Sequence, residues 1–228
     1  MACNATKERK VLRSGFRFVA GTDEVGRGAL AGPVVAAAVI LNLADIPDGI
    51  NDSKKLTRLQ RESLAPEIER RAIAVAVSRI EHNEIDRINI LQASLLAMEV
   101  AVKALRPQAE YVLIDGRQML PGLDCPQQAI VGGDGLSVSI AAASIIAKVA
   151  RDRWMREYDT EYPGYGFASH VGYNTRLHQQ AIAQLGPSAI HRLTFQGVLT
   201  FQPSLFLHDE NSSPESAPAR RRRSTKAS

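Results

Sequence analysis

Val19-Ala20-Gly21-Thr22-Asp23-Glu24-Val25-Gly26-Arg27-Gly28 begins apolar, ends on two acids and turns away through glycine. The same design returns in Tyr111-Val112-Leu113-Ile114-Asp115-Gly116 and in Ile130-Val131-Gly132-Gly133-Asp134-Gly135. Each reads as a short buried strand closed by a carboxylate and a turn. One Asp-Gly alone is an ordinary turn dipeptide. Three such acid-then-glycine strand ends together point further, because functional groups of open α/β sheets gather there.

The rest of the chain supplies the other elements. Val34 to Leu41 is almost entirely Val, Ala, Ile and Leu, the composition of a strand buried on both faces. Ile73 to Ile80 alternates as a further strand, and Gln127 to Val131 as another. Thr57 caps a predicted helix through Leu59, Leu64 and Ile68, which Pro66 should kink or split. Leu91, Leu95, Met98 and Val102 have helical spacing and predict one helix over 88–105, ending before Pro107. Long helices are predicted over 139–158 and 174–185, the second stopped by Gly186-Pro187. Strands alternating with helices give an α/β class, a mixed sheet flanked by helices with a helical C-terminal extension. The expected organisation is a flexible arm over 1–15, one domain over 16–207 and a disordered basic tail over 208–228.

Composition narrows the function classes. The 228 residues carry 28 Lys and Arg against 24 Asp and Glu, a formal charge of +4. Residues 1–13 hold +3 of it and residues 209–228 hold +2, while the body has 19 basic and 20 acidic residues. The basic ends permit a polyanion partner, and a merely solvated tail is the plain alternative. Two cysteines, Cys3 and Cys125, are too few for a disulfide framework and suit a reduced cytoplasmic compartment. The charged first fifteen residues lack the apolar core of a secretory signal. The longest apolar run, 29–41, is broken by Gly32-Pro33 and falls short of the ~20 residues a membrane span needs.

If Asp23, Glu24, Asp115 and Asp134 converge, their repulsion raises their proton affinity unless cations lie among them. An all-oxygen donor set suits Mg2+ or Mn2+. His170 and His178 are eight residues apart with no cysteine near, which is not zinc spacing. Asp23 and Glu24 are adjacent and would point to opposite faces of a regular strand, so the strand is expected to end or bulge there. Gly26-Arg27-Gly28 lacks both the Lys-Ser/Thr of a P-loop and the third glycine of a dinucleotide fingerprint.

Thr22-Asp23-Glu24-Val25-Gly26-Arg27-Gly28-Ala29-Leu30-Ala31-Gly32-Pro33-Val34 closely resembles the opening signature of bacterial ribonuclease HII, the type 2 ribonuclease H. Asp52-Ser53-Lys54-Lys55-Leu56, Ile114-Asp115-Gly116, and Gly133-Asp134 with the Ser139 to Arg153 helix resemble later family blocks, in order. The resemblance spans about residues 16 to 198. It implies an RNase H-like fold and a Mg2+- or Mn2+-dependent endonuclease. Its substrates would be RNA–DNA hybrids and duplex DNA with single embedded ribonucleotides, cut to leave 5′-phosphate and 3′-hydroxyl ends. A non-catalytic hybrid-binding module of the same fold is the alternative, disfavoured because all four acids are present.

Carried over by position, the resemblance makes Asp23, Glu24 and Asp115 metal-binding carboxylates, with Asp134 a more peripheral fourth. It assigns Gly26, Arg27 and Gly28 to the ribose 2′-OH and Tyr173 to the sugar of the next deoxynucleotide. Lys54, Lys55, Ser144 and Lys148 would line the phosphate path, with Arg151 and Arg153 either on that path or at a solvated helix end. The chain departs from the family at His170-Val171-Gly172-Tyr173-Asn174-Thr175, where Val171 and Asn174 replace a usual Lys and Gly. A monomer in the cytoplasm, off the membrane, is the expected state.

Overall fold

The computed structural model describes residues 3–199. The expected 208–228 tail, and 200–207 of the expected domain, lie outside them. Five strands form one sheet in the order β3-β2-β1-β4-β5. They are β1 (Val19–Val25), β2 (Val34–Ile40), β3 (Ala74–Ile80), β4 (Tyr111–Asp115) and β5 (Gln127–Ile130). β2 runs antiparallel to both its neighbours, β1 and β3, whereas β4 and β5 run parallel to β1. β1 is therefore the strand at which the sheet changes from antiparallel to parallel.

The helices are α1 (Thr6–Arg13), α2 (Arg58–Arg71), α3 (His82–Ile88), α4 (Ile90–Ala104), α5 (Val138–Glu161), α6 (Phe167–His170) and α7 (Arg176–Leu185). α4 covers one sheet face and α5 the other, with α2 beside α5. β2 divides its side chains between them. Val34, Ala36, Ala38 and Ile40 pack with Ala93, Ala97 and Ala101 of α4. Val35, Ala37 and Val39 pack with Ala141, Ala142 and Ile145 of α5. Small residues on both helices let them lie close to the sheet. At Gly21 the approach is so tight that any Cβ would fall on the Ser139–Ile140 backbone.

Three elements differ from expectation. Residues 1–15 are not all a loose arm: Thr6–Arg13 is a helix whose Glu8 is buried and accepts bonds from Ser137 Oγ and Ser139 N, capping α5. The helix expected over 88–105 is broken at Asn89, which takes φ 69° and whose side chain accepts from Leu91 N and Gln92 N. Asn tolerates that conformation and favours the cap, so α3 ends and α4 begins there. Pro66 does not split α2, which runs on to Arg71 from a capping box made by Thr57 and Gln60. Ala65 and Ile68 are buried against the α5 side and hold the turn around the missing N–H. No helix among the described residues is long and apolar enough to cross a membrane.

Candidate active site

Pairing between β1 and β4 stops at Thr22↔Ile114, and the next residue on each strand is an acid, Asp23 and Asp115. β5 pairs up to Asp115↔Ile130, after which the chain turns through Gly133–Gly135 and delivers Asp134. Three parallel strands thus release their carboxylates at one end of the sheet. The expected bulge at Asp23-Glu24 is absent. β1 keeps its register against β2, Asp23↔Ala37 and Glu24↔Ala36, through Val25. The two acids accordingly lie on opposite faces. Asp23 faces Ser144 of α5, while Glu24 lines a groove of about 440 Å³ with Arg27, Ser94, Met98, Asp115 and Arg117.

The acids are electrostatically strained. Burial raises Asp23 well above the ordinary carboxylate range, and Glu24 and Asp115 push it further in the same direction. Glu24 is also raised by burial, against the pull of Arg27. Asp115 is raised by burial too, and the N–H of Gly133, at 2.6 Å from Oδ1, offsets part of that. Two cations already touch the cluster: Arg27 Nη1 lies 3.0 Å from Glu24 Oε1 and Lys54 Nζ 3.1 Å from Asp134 Oδ2. Among the described residues no three His, Cys, Asp or Glu side chains converge tightly enough to form a closed metal cage. The donor chemistry nonetheless fits a hard divalent cation, since buried, mutually repelling carboxylate oxygens are what such an ion neutralises.

Around the acids sit the other anticipated residues. Lys54 follows Asp52, whose side chain caps a 3-10 turn over Ser53–Lys55. Ser53 Oγ and Ser144 Oγ are 2.9 Å apart, tying that turn to α5 behind Asp23. Lys55 stands at the rim, 3.9 Å from Asp52. Lys148 pairs with Asp152 at 2.7 Å and lies 5.9 Å from the Tyr173 ring centre. Tyr173 bridges by its backbone to Ala29, which brings it beside the Gly26–Gly28 turn. Gly26 takes φ +94°, open to glycine, and a Cβ there would strike Arg151.

Arg151 is not on the phosphate path, nor at a solvated helix end. It is fully buried and donates to the carbonyls of Pro33, Val171 and Ala31. Arg192 is also fully buried, donating to Gly32 O and, at 3.0 Å, to Arg27 O. Together they hold both flanks of the Gly26–Pro33 segment. The sequence leaves His191-Arg192, after Gly186-Pro187, open between capping the end of the core and phosphate contact, and gives no sign of the buried ring cluster of His170, His178 and His191. The signal available was an arginine and histidines next to apolar or glycine-proline neighbours, which is weak without the fold. Val171 takes a left-handed φ of 44°, a strained position for a β-branched residue.

The sequence model of ribonuclease HII matches residues 20–198. The chain belongs to the ribonuclease HII family. A ribonuclease HII of Geobacter sulfurreducens is 56% identical over 191 residues, 84% of this chain and 88% of that protein. Among solved structures, ribonuclease H2 of Pyrococcus horikoshii superposes with TM-score 0.67 at 28% identity, covering 80% of this chain and 95% of the other. Bst-RNase HIII in complex with Mn2+ has the same fold, with TM-score 0.64 at 23% identity over 81% of this chain and 68% of that one. The expected RNase H-like mixed sheet with a helical C-terminal part is thus the fold observed.

Proposed function

We propose that this ribonuclease HII family member hydrolyses the RNA strand of RNA–DNA hybrids and incises duplex DNA at single ribonucleotides. The products would carry 5′-phosphate and 3′-hydroxyl ends. The observation that carries the reading is the release of Asp23, Asp115 and Asp134 at one sheet end, beside the Gly26-Arg27-Gly28 turn and Tyr173. Asp23, Glu24, Asp115 and Asp134 are assigned to hold the divalent cations. Mg2+ or Mn2+ bound there would supply an activated water and stabilise the 3′-oxygen leaving group.

The chain's own groups account for the rest. Buried carboxylates with raised proton affinity favour taking up cationic charge. Arg27 and Lys54 neutralise Glu24 and Asp134 when nothing else does. Recognising a ribonucleotide requires reading its 2′-OH, the group DNA lacks. Backbone groups of Gly26, Arg27 and Gly28 are free of base-specific side chains and suit that reading. The Tyr173 ring would stack on the following deoxyribose. Lys55 and Lys148, with Lys54 and Ser144, would meet phosphates and add affinity without sequence preference. A cytoplasmic monomer is the working form of this proposal.

The test is cleavage of a DNA duplex bearing one ribonucleotide, with Mg2+, with Mn2+ and with chelator. Metal-dependent incision 5′ to the ribonucleotide, lost on chelation, is expected. Hybrid binding without incision in any metal would favour the non-catalytic module instead.

A further inference from the structure

His170, His178 and His191 are buried together on the helical C-terminal part, with ring centres of neighbouring pairs 4.4 and 5.1 Å apart. Hydrogen bonds at both ends of the group fix where every proton sits. Tyr173 O can only accept, so His178 Nδ1, 3.0 Å away, carries a hydrogen. Ser188 N can only donate, so His191 Nδ1, 2.8 Å away, is bare, and Ser188 Oγ donates to the same atom. His191 therefore carries its hydrogen on Nε2 and His178 has a bare Nε2. These two atoms are 3.0 Å apart, and one hydrogen lies between them. The same logic has His170 donating from Nε2 to Tyr165 O, while its Nδ1 accepts from Gly172 N.

We propose that His178 and His191 are positioning residues, a one-directional relay from Ser188 through two neutral imidazoles to the Tyr173 carbonyl that fixes Tyr173 beside the Gly26–Gly28 turn. Its use in substrate selection rests on the reading of Tyr173 given above. The relay is anchored at its other end as well. His191 bridges Ala31, and its neighbours exchange backbone bonds with the same segment, Gly32 N to Ile190 O and Arg192 N to Leu30 O. One imidazole pair thus ties the Tyr173 turn and the segment after Gly28 into a single unit.

A third proton would break the chain, because either imidazolium sets two N–H groups against each other or against Ser188 N. The environment opposes that proton. Burial, helped by a neighbouring histidine, pushes both His178 and His191 down to about 4. The groups facing the pair are His170, Tyr165 and, around a cavity beside His191, His82 and Asp86. Asp86 is engaged by Leu193 N and Thr194, which leaves no carboxylate aimed at either ring among these.

The first measurement is 15N NMR of the full chain with labelled histidine. At pH 7 His178 should be protonated on Nδ1 alone and His191 on Nε2 alone, both staying neutral at pH 6. A reversed tautomer or an imidazolium at pH 6 overturns the relay. Second, His178→Ala and His191→Ala should lose about fivefold in kcat/KM at a single embedded ribonucleotide relative to a continuous RNA strand, the weight of one hydrogen bond. His191→Gln, which keeps a donor toward His178, should recover most of that ratio. Equal losses on both substrates with no recovery would overturn the positioning role. If Tyr173→Ala itself lowers both substrates alike, the reading of Tyr173 fails and the relay is judged by amide exchange at Thr175, which donates to Tyr173 O. Faster exchange there in His178→Ala supports it, and unchanged exchange overturns it.

Discussion

Replacing Arg192 by methionine should cost activity while leaving stability nearly untouched. Arg192 is a fully buried cation that, among the described residues, has no carboxylate partner and no hydrogen-bond acceptor for its Nη2. Burial, then the like charge of Arg151, pushes it from the ordinary guanidinium value down to about 9. The guanidinium is still charged at neutral pH, and that gap corresponds to a penalty of roughly 5 kcal/mol. The sign follows from the lowered value: the penalty is complete below pH 9 and fades as pH rises above it. Methionine removes it and fills most of the space with an adaptable side chain. Against that gain, Arg27 O and Gly32 O lose their donor, at about 1–3 kcal/mol each. The two nearly cancel. At about 2–4 °C per kcal/mol for a chain this size, the melting temperature should move by less than ~10 °C. Turnover should not escape so lightly. The Arg27 carbonyl is released, and a displacement of about 1 Å in a reacting site can cost ~100-fold. Thermal melting at pH 7.5 and single-turnover cleavage of a one-ribonucleotide duplex check both halves. Wild-type turnover, or a melting temperature lower by more than ~15 °C, would refute the reasoning.

Asp115→Asn should abolish cleavage with the fold intact, whereas Asp134→Asn should keep measurable activity, read in the same assay with circular dichroism as control. Asp23→Asn should also be inactive. Because burial and its acidic neighbours raise Asp23, its charge costs stability at neutral pH, so the variant should melt no lower than wild type in metal-free buffer at pH 7.5. That advantage should vanish as pH falls toward the ordinary value of 3.8. Gly21→Ala should destabilise by ~3 kcal/mol, since the new methyl meets the backbone of α5 rather than a movable side chain; an unchanged melting temperature would contradict the close approach. Deleting residues 209–228 removes five basic residues. If they touch phosphates, the slope of log affinity against log salt should shrink by about 0.9 per lost contact, with turnover at saturation unchanged.

The strand ends were legible because each carries its own punctuation, apolar run, acid and glycine, within ten residues. β2 was legible because burial on two faces leaves no polar position to hide. Asn89 carried a readable cap signal, yet Ile88 and Ile90 on either side continued the helical stripe and masked it. Arg151 and Asp152 were indistinguishable by pattern. Asp152 does pair locally with Lys148, as a solvated helix end would. Arg151, one residue before it, turns inward because the carbonyls of Ala31, Pro33 and Val171 wait there, up to 120 residues away. No local window holds that information. The histidine relay is hidden for the same reason, since His178 and His191 stand on opposite sides of the Gly186-Pro187 stop.

The opposed directions of Asp23 and Glu24 look like an obstacle to a shared site, which an end or a bulge of the strand would remove. The strand does not bulge; its pairing on one side ends. β1 stays paired with β2 on its antiparallel side through Val25, but on its parallel side its last partner is Ile114 of β4, opposite Thr22. Beyond that pair the β1–β4 ladder stops. Asp23, reaching from the α5 face, and Glu24, from the α4 face, can both act on the space in front of Asp115: Glu24 and Asp115 raise the proton affinity of Asp23, and Asp115 raises that of Glu24. Arg27 and Lys54 each neutralise one acid at the edge of that space, Glu24 and Asp134, and leave Asp23 and Asp115 without an ion pair among the described residues. The uncompensated charge therefore lies where the parallel strands end, which is where an incoming cation gains most.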